Sequence, residues 1–305
     1  MRKKALITGG TGLIGREIIS ILLDEGWDIN VLSRSARNAQ SQELNYFQWN
    51  PDEQWMDPEA LENVDVIFHL SGAPVAQRWT NVNKESILRS RIEPTEILLD
   101  HVRHLSEEQR PKTCISASAI GLYHDSEDWQ TESSEPARGF LSEVVQSWES
   151  EVKKFEGLGL RTAQIRIGLV LSPSGGMLKR LLPVFRMGIG SAVGSGKHWQ
   201  SWIHIEDVAR MFVWASENQH VVGPLNAVAP NPVRNQDLSR SIARACRRPF
   251  WAPRVPAWVL KGMFGSMASI VLASQRVSSD KASAAGFHFN FVEVDTALES
   301  LLNPN

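Results

Sequence analysis

Long apolar runs are missing from this chain of 305 residues: none approaches the length that crosses a bilayer, and the opening residues lead straight into what reads as a strand. Those absences exclude a membrane span and argue against a secretory leader, so a soluble, cytoplasmic protein is the expectation. Cysteine is scarce. Cys114 and Cys246 show no C-x-x-C spacing, which leaves neither a disulfide framework nor a metal ribbon and suits buried thiols in a reducing compartment. Neither sign of charge dominates: Lys and Arg number 32 against 34 Asp and Glu, so there is no electrostatic footprint for nucleic acid. The chain has no G-x-S-x-G, which speaks against a serine hydrolase. His101 and His104 fall on one helix face without a carboxylate or cysteine to complete a metal set, and no metal is expected. Gly194-Ser-Gly-Lys197 looks like the tail of a phosphate-binding loop, but Ser191 and His198 stand where that motif needs Gly and Ser or Thr. Arg244, Arg247 and Arg248 crowd one helix end, where the helix dipole accounts for them. Tyrosine is the last scarcity. There are two, Tyr46 and Tyr123, beside eleven tryptophans.

What is present begins in the first fifteen residues, Lys3-Lys-Ala-Leu-Ile-Thr-Gly-Gly-Thr-Gly-Leu-Ile-Gly15. Ala5-Leu6-Ile7 reads as a buried strand, and Leu13, Ile14, Ile18, Ile19, Leu22 and Leu23 recur at helical spacing up to Gly26. Gly10, Gly12 and Gly15 spell G-x-G-x-x-G in the turn between them. Glycines there permit a tight bend, let backbone approach a pyrophosphate and let helix and strand pack closely, with the phosphates on the unpaired amides of the helix N-terminus. The context of strand, turn and helix makes this a dinucleotide-binding reading.

The second strand, residues 28–33, ends where an NAD-binding protein places an acidic residue for the ribose hydroxyls. This chain has Ser33-Arg34 there and Arg37 three residues on. A guanidinium cannot accept a hydrogen bond but makes paired contacts to phosphate, so the inference is NADP(H) over NAD(H), against the alternative of ordinary surface charges.

Further strands fall at 45–49, 65–70, 112–118 and 162–171, separated by helical segments, and imply a doubly wound parallel sheet of the Rossmann type. Leu70, Ser71 and Gly72 leave the 65–70 strand at the edge that faces a ligand in such sheets. Residues 81–105 form a helix that Pro94 is expected to kink or break; Arg91 on it either reaches a cofactor phosphate or ribose or sits in a surface ion pair. Residues 124–138 read as an exposed loop or flap. Residues 1–175, completed by 201–230, make the cofactor domain, and 176–200 with 231–305 a smaller, mostly helical substrate lobe. Lys197, His198, Trp199 and Trp202 follow a glycine-dense loop, and Met177, Met187, Trp251 and Trp258 come from the second lobe. They are candidates to line a site for a small, mostly apolar substrate with a carbonyl or anionic end, with a core role for the tryptophans as the alternative.

Taken together, Thr8-Gly-Gly-Thr-Gly-Leu-Ile-Gly15, Asp65-Val-Ile-Phe-His-Leu-Ser-Gly72, Ile115-Ser-Ala-Ser118, Arg166-Ile-Gly168 and Trp202-Ile-His-Ile-Glu-Asp-Val-Ala209 resemble the extended short-chain dehydrogenase/reductase superfamily, in its NAD(P)-dependent epimerase/dehydratase group. Arg78-Trp79, Ser90-Arg91, Ser116-Ala-Ser-Ala-Ile-Gly121, Gly194-Ser-Gly196, Gln275-Arg-Val and Gly286-Phe-His-Phe289 narrow the resemblance to the "epimerase family protein" subfamily, across essentially the whole chain. The resemblance implies that Gly9, Thr11, Gly12, Leu13 and Ile14 hold the pyrophosphate and that Ser33 and Arg34 meet the adenosine phosphate. It implies also that Leu70 and Ser71 border the adenine or ribose, that Arg91 contacts the cofactor, that Ser116 lies near the nicotinamide ribose, and that Ile167 and Gly168 border the nicotinamide.

The departure is chemical. Most of the superfamily pairs a tyrosine with a lysine four residues later, whose charge lowers the phenol pKa for proton exchange with the substrate. Four residues beyond Tyr46 and Tyr123 stand Asn50 and Glu127, and the helix that should carry the dyad is apolar near Leu141 and Val145. Two readings follow. In one, a reductase or epimerase uses another proton donor, with Tyr123 and Ser118 as candidates, set against a packed aromatic and a satisfied loop hydroxyl. In the other, the fold binds NADP(H) without turnover and serves redox sensing or partner binding. Oligomeric state is not readable.

Overall fold

A computed structural model describes residues 2–35 and 41–303 of the chain; Arg37 lies outside them. The first apolar run is β1 (Lys4–Thr8), the glycine turn opens α1 (Leu13–Asp24), and Gly26 at φ +76° ends that helix before β2 (Asp28–Ser33). β3 (Leu44–Asn50), β4 (Trp55–Met56), β5 (Val66–His69), α2 (Asn81–His104) and β6 (Thr113–Ala119) follow. Next come β7 (Trp129–Gln130), α3 (Phe140–Lys153), β8 (Arg161–Ile167), β9 (Leu169–Leu171), α4 (Gly176–Arg186), β10 (Trp199–Gln200), β11 (Trp202–His204) and α5 (Ile205–Glu217). The chain ends with β12 (Gly223–Ala227), β13 (Val233–Arg234), α6 (Asn235–Ala245), α7 (Ala257–Phe264), α8 (Ala268–Leu272), β14 (Arg276–Val277), α9 (Asp280–Ala284) and α10 (Val294–Leu302).

Eight strands form one sheet in the order β12-β8-β6-β5-β1-β2-β3-β4, parallel throughout except where β4 pairs antiparallel with β3. β1, β5, β6 and β8 are buried almost end to end, as strands covered on both faces must be; β1 and β5 are mostly apolar for that reason, whereas β6 and β8 bury Ser, Thr, Gln and Arg side chains that find partners inside the fold. From β1 the chain winds outward through β2 on one side and β5 on the other, so a crevice opens at their carboxyl ends. The sheet and its helices share one large core that includes Leu6, Ile7, Ile18, Phe68, Trp148, Phe155 and Phe212. A second cluster, with Leu171, Leu178, Phe185, Trp202, Leu238, Ile242 and Leu298, holds α4, α6 and α10 together beside β9 and β11.

Three expectations are corrected. Pro94 does not divide α2: the helix runs from Asn81 to His104 through it, and in the flanking turns Arg91 Nη1 and Ser90 Oγ donate to the Ile87 carbonyl and Thr95 Oγ1 to that of Arg91. Residues 162–171 are two strands. A Cβ on Gly168 would lie 2.5 Å from the Ser201 carbonyl oxygen and 2.6 Å from Val228 Cγ1, and at this crossing the chain leaves the main sheet so that Leu169 pairs with Trp202. Finally, residues 124–138 are no loose flap, because β7 pairs with β14 and its neighbours are tied to the C-terminal region.

Candidate functional site

Each glycine of the first turn answers a steric demand. Gly9 has φ +70°, and a Cβ there would sit 2.7 Å from the Leu70 carbonyl oxygen; a Cβ on Gly10 would meet Val31 Cγ1 at 2.9 Å, and one on Gly15 the Gly9 carbonyl oxygen at 2.4 Å. The Gly12 amide closes the bend on the Gly9 carbonyl at 2.9 Å, and Arg16 braces it through Thr11 O at 3.0 Å. Gly12 caps α1 without a side-chain acceptor, so the amides that follow, at Leu13 and Ile14, point out of an exposed helix start as an anion site requires.

A proton-ordered chain fixes the neighbouring strand end against this turn. The Leu70 and Ser71 amides donate to Thr8 Oγ1 at 3.0 and 3.1 Å, which leaves the threonine proton for His69 Nδ1 at 2.8 Å. His69 therefore carries its proton on Nε2 and gives it to Thr95 Oγ1 at 3.0 Å, which donates in turn to the Arg91 carbonyl at 2.6 Å. Burial holds His69 neutral, its pKa pushed down to about 3. Thr8, His69 and Thr95 gave no functional signal in the sequence, since only the fold brings them into line.

Two groups beside this chain lack the partners that buried polar atoms normally have. Ser71 Oγ is sealed from solvent and bonded to nothing among the described residues. Arg91 is buried, its pKa lowered to about 10 by burial, and it donates to the carbonyls of Ile87 (2.8 Å) and Ala73 (3.2 Å) beside the Trp148 ring, with no carboxylate in an ion pair among the described residues. It is therefore not a surface ion pair. Thr8 pairs with Leu32 in register, so Ser33 and Arg34 leave the sheet at the edge where the glycine turn does. Arg34 is exposed there, with no ion pair among the described residues. Ile167 and Gly168 reach the same edge from β8 and are partly exposed. A glycine cradle, an orphaned hydroxyl, an unneutralised buried guanidinium and a free cation at the β2 end fit a phosphorylated dinucleotide.

The expected proton donors are engaged elsewhere. Ser118 Oγ donates its proton to Glu149 Oε1 at 2.6 Å, and Arg166 grips the same carboxylate through Nε and Nη2, both at 2.8 Å. Arg166 Nη1 donates to Tyr123 Oη at 2.8 Å, and Tyr123 donates to Asn226 Oδ1 at 2.6 Å. Tyr123 is 2 % exposed, and burial pushes its phenol up to about 12 against the pull of Arg166. In this arrangement the tyrosine is the packed aromatic and the serine the satisfied hydroxyl, and neither presents a proton to a ligand. Ser116 is fully buried in β6, its hydroxyl donating to the Ala117 carbonyl at 2.9 Å. Glu149, Arg166 and Asn226 were not singled out as a set, because their partners lie far away in sequence.

A family model for the NAD dependent epimerase/dehydratase family matches residues 5–227. The chain belongs to that family. Residues 255–301 match a domain of unknown function, DUF1731. The epimerase family protein YfhF of Bacillus subtilis is 36 % identical over 300 residues, covering 97 % of each chain. Among solved structures, the human epimerase family protein SDR39U1 with NADPH is 27 % identical at a TM-score of 0.85, covering 99 % of this chain and 100 % of that one. A nucleoside-diphosphate sugar epimerase from Corynebacterium glutamicum is 30 % identical at a TM-score of 0.80, covering 99 % of this chain and 58 % of the other.

In this member of the epimerase/dehydratase family the candidate substrate residues fall in different surroundings. Trp202 is fully buried in the second core cluster with Nε1 donating to the Asn231 carbonyl, so it is a core residue and its expected contact with substrate is corrected. Lys197 is exposed, its carbonyl accepting from Arg234 and its ammonium in no ion pair among the described residues. Trp199 lies under the Arg234 guanidinium at 3.9 Å and near that of Arg276 at 4.6 Å. Leu141 and Val145, the positions at which the sequence expects the dyad, are half-buried and buried. Among the described residues no group of His, Cys, Asp or Glu forms a metal set, and no helix is long and apolar enough to cross a membrane.

Proposed function

We propose that this chain binds NADP(H) and acts as an oxidoreductase or epimerase-like enzyme on a small carbonyl or hydroxyl compound, without the Tyr-x-x-x-Lys dyad. Arg34 carries the cofactor choice: an exposed, unpaired guanidinium where an NAD protein has a carboxylate. A bound nicotinamide supplies or accepts a hydride. The chain's own residues bind the pyrophosphate at Gly9–Ile14, bracket the adenosine phosphate with Ser33 and Arg34, and set the β5 end, with Leu70 and Ser71, through the Thr8–His69–Thr95 chain. Arg91 offers its charge beside that strand end, and Ile167 and Gly168 border the nicotinamide end. Lys197, exposed and in no ion pair among the described residues, is one candidate for an anionic substrate group, to be weighed against cations elsewhere on the substrate side.

The test is titration with NADPH and NADH. A lost charge-assisted phosphate contact is worth roughly 1.5–3 kcal/mol, so Arg34→Ala lowers NADPH affinity about 10- to 100-fold and leaves NADH affinity unchanged. Equal affinity of the unaltered protein for the two coenzymes would remove the proposed selection. One observation favours a second reading, binding without turnover: both candidate donors, Ser118 and Tyr123, give their protons to protein acceptors, Glu149 and Asn226. A screen of carbonyl compounds for NADPH oxidation separates the two readings. Turnover supports the enzyme, and saturable NADPH binding without turnover on any compound supports the sensor.

A further inference from the structure

A groove of about 550 Å³ lies where the start of α2 and the start of α3 meet the α7–α8 region. Trp79 and Phe140 line it, their rings 5.3 Å apart edge to face, together with Ser266 and Ser269. Lys84 and Lys261 stand at the groove, the Lys84 ammonium 5.2 Å from the Phe140 ring centroid. Neither lysine is in an ion pair among the described residues, and Lys261 is the only charged residue in the stretch 255–275. Phe140 is the first residue of α3 and immediately precedes Leu141, the position at which the sequence resemblance expects the tyrosine of the dyad.

From this we propose that the groove is the substrate pocket and that its ligand is a small amphipathic anion: an aromatic or hydrocarbon body against Trp79 and Phe140, with a carboxylate, sulfonate or phosphate between Lys84 and Lys261. The proposal rests on the NADP(H)-dependent reading for the word substrate, but not for the binding itself. Two cations from separate elements line one mostly apolar groove whose lining includes no carboxylate, so the complementary ligand is an anion with an apolar body. An uncharged helix and loop that carry one cation, placed at the groove, make the same choice of sign.

A matched pair of fluorescent probes tests it: 8-anilinonaphthalene-1-sulfonate and its uncharged parent, N-phenyl-1-naphthylamine, titrated into the full chain. The sulfonate binds at one saturable site at least tenfold more tightly than the amine. Lys84→Gln and Lys261→Gln each weaken the sulfonate about fivefold or more and leave the amine unchanged, while Phe140→Ala weakens both. Equal affinity for the two probes, or a preference for the sulfonate that follows Lys197→Ala and not the groove lysines, overturns the proposal. NADPH titration of the same groove variants keeps the two readings apart. Intact NADPH binding with no effect of the lysine changes on the sulfonate refutes the pocket alone. A protein that never binds NADPH yet shows the lysine-dependent preference refutes the coenzyme reading and retains the anion pocket.

Discussion

An ideal Cβ at Gly15 would sit 2.4 Å from the Gly9 carbonyl oxygen and 2.7 Å from Gly10 Cα, both backbone atoms that cannot swing aside. Either the turn opens or α1 moves away, and both displace the amides offered to a pyrophosphate. Gly15→Ala therefore destabilises the protein by about 1–3 kcal/mol, as overpacking does, and lowers NADPH affinity more than tenfold; urea denaturation and a coenzyme titration check the pair. Tyr123 presents the opposite case, a residue whose chemistry invites a catalytic role that its surroundings deny. Its hydroxyl both receives from Arg166 and donates to Asn226, so Tyr123→Phe leaves two buried polar groups short of a partner. A loss of about 1–3 kcal/mol in stability with NADPH affinity unchanged is the expected outcome, and a large fall in turnover on any substrate with stability intact would restore the tyrosine as a proton donor.

At the scale of elements, what could be read in advance depended on whether the deciding partner was near in sequence. β1 and β5 were legible because a strand covered on both faces is apolar, β2, β6 and β8 because their shorter apolar stretches alternate with helical segments, and the turn before α1 because the spacing of its glycines is itself local, Gly15 clearing Gly9 and Gly10. The break at Gly168 was hidden because the atoms that force it belong to Ser201 and Val228. The continuity of α2 through Pro94 was hidden for another reason: side chains of Ser90, Arg91 and Thr95 bond carbonyls of the flanking turns, and a proline rule reads only the backbone. His69 was read only as part of a strand, yet it links β1, β5 and α2 as a neutral ring. Its folded pKa, about 3, lies below the ordinary 6.5, so the unfolded chain binds the proton first as pH falls. The stability this ring contributes is complete above about pH 6.5 and is lost as pH falls toward 3. His204, whose Nδ1 accepts from the Glu206 amide at the start of α5 and whose pKa burial lowers to about 4, acts with the same sign. Each ring costs about 1.4 kcal/mol per pH unit in that window, so unfolding free energy falls steeply from pH 6.5 to 5, and in His69→Gln the slope is smaller by about that amount. An unchanged slope in the variant would show that His69 is not held neutral.

At the scale of the molecule, the segment 124–138 connects regions that the linear order keeps apart. Its strand β7 pairs with β14, and Glu127 receives both Arg234 at 2.6 and 2.9 Å and the Trp199 indole at 3.1 Å. Above them runs an alternating stack of Trp129, Arg276, Trp199 and Arg234, with each guanidinium 3.9–4.6 Å from a ring centroid. These partners are separated in sequence by 72 to 107 positions in the hydrogen bonds, which is why a polar, Ser- and Glu-rich stretch read as an exposed flap. Asn226 closes the other side of the segment, its amide donating to Glu132 Oε1, so the segment lies between β12, β13 and β14. An exposed ion pair alone contributes at most about 1 kcal/mol, whereas stacked cation and ring contacts add about 0.5–2 kcal/mol each, so the aromatic residue and not the carboxylate should dominate. Trp199→Ala then raises amide hydrogen exchange across 124–138 and 275–278 while exchange in β1, β5 and β6 stays at its original level. Glu127→Gln produces a smaller change of the same kind. Exchange that rises equally across the central sheet in Trp199→Ala would mean that the stack supports the whole fold and does not clasp one segment.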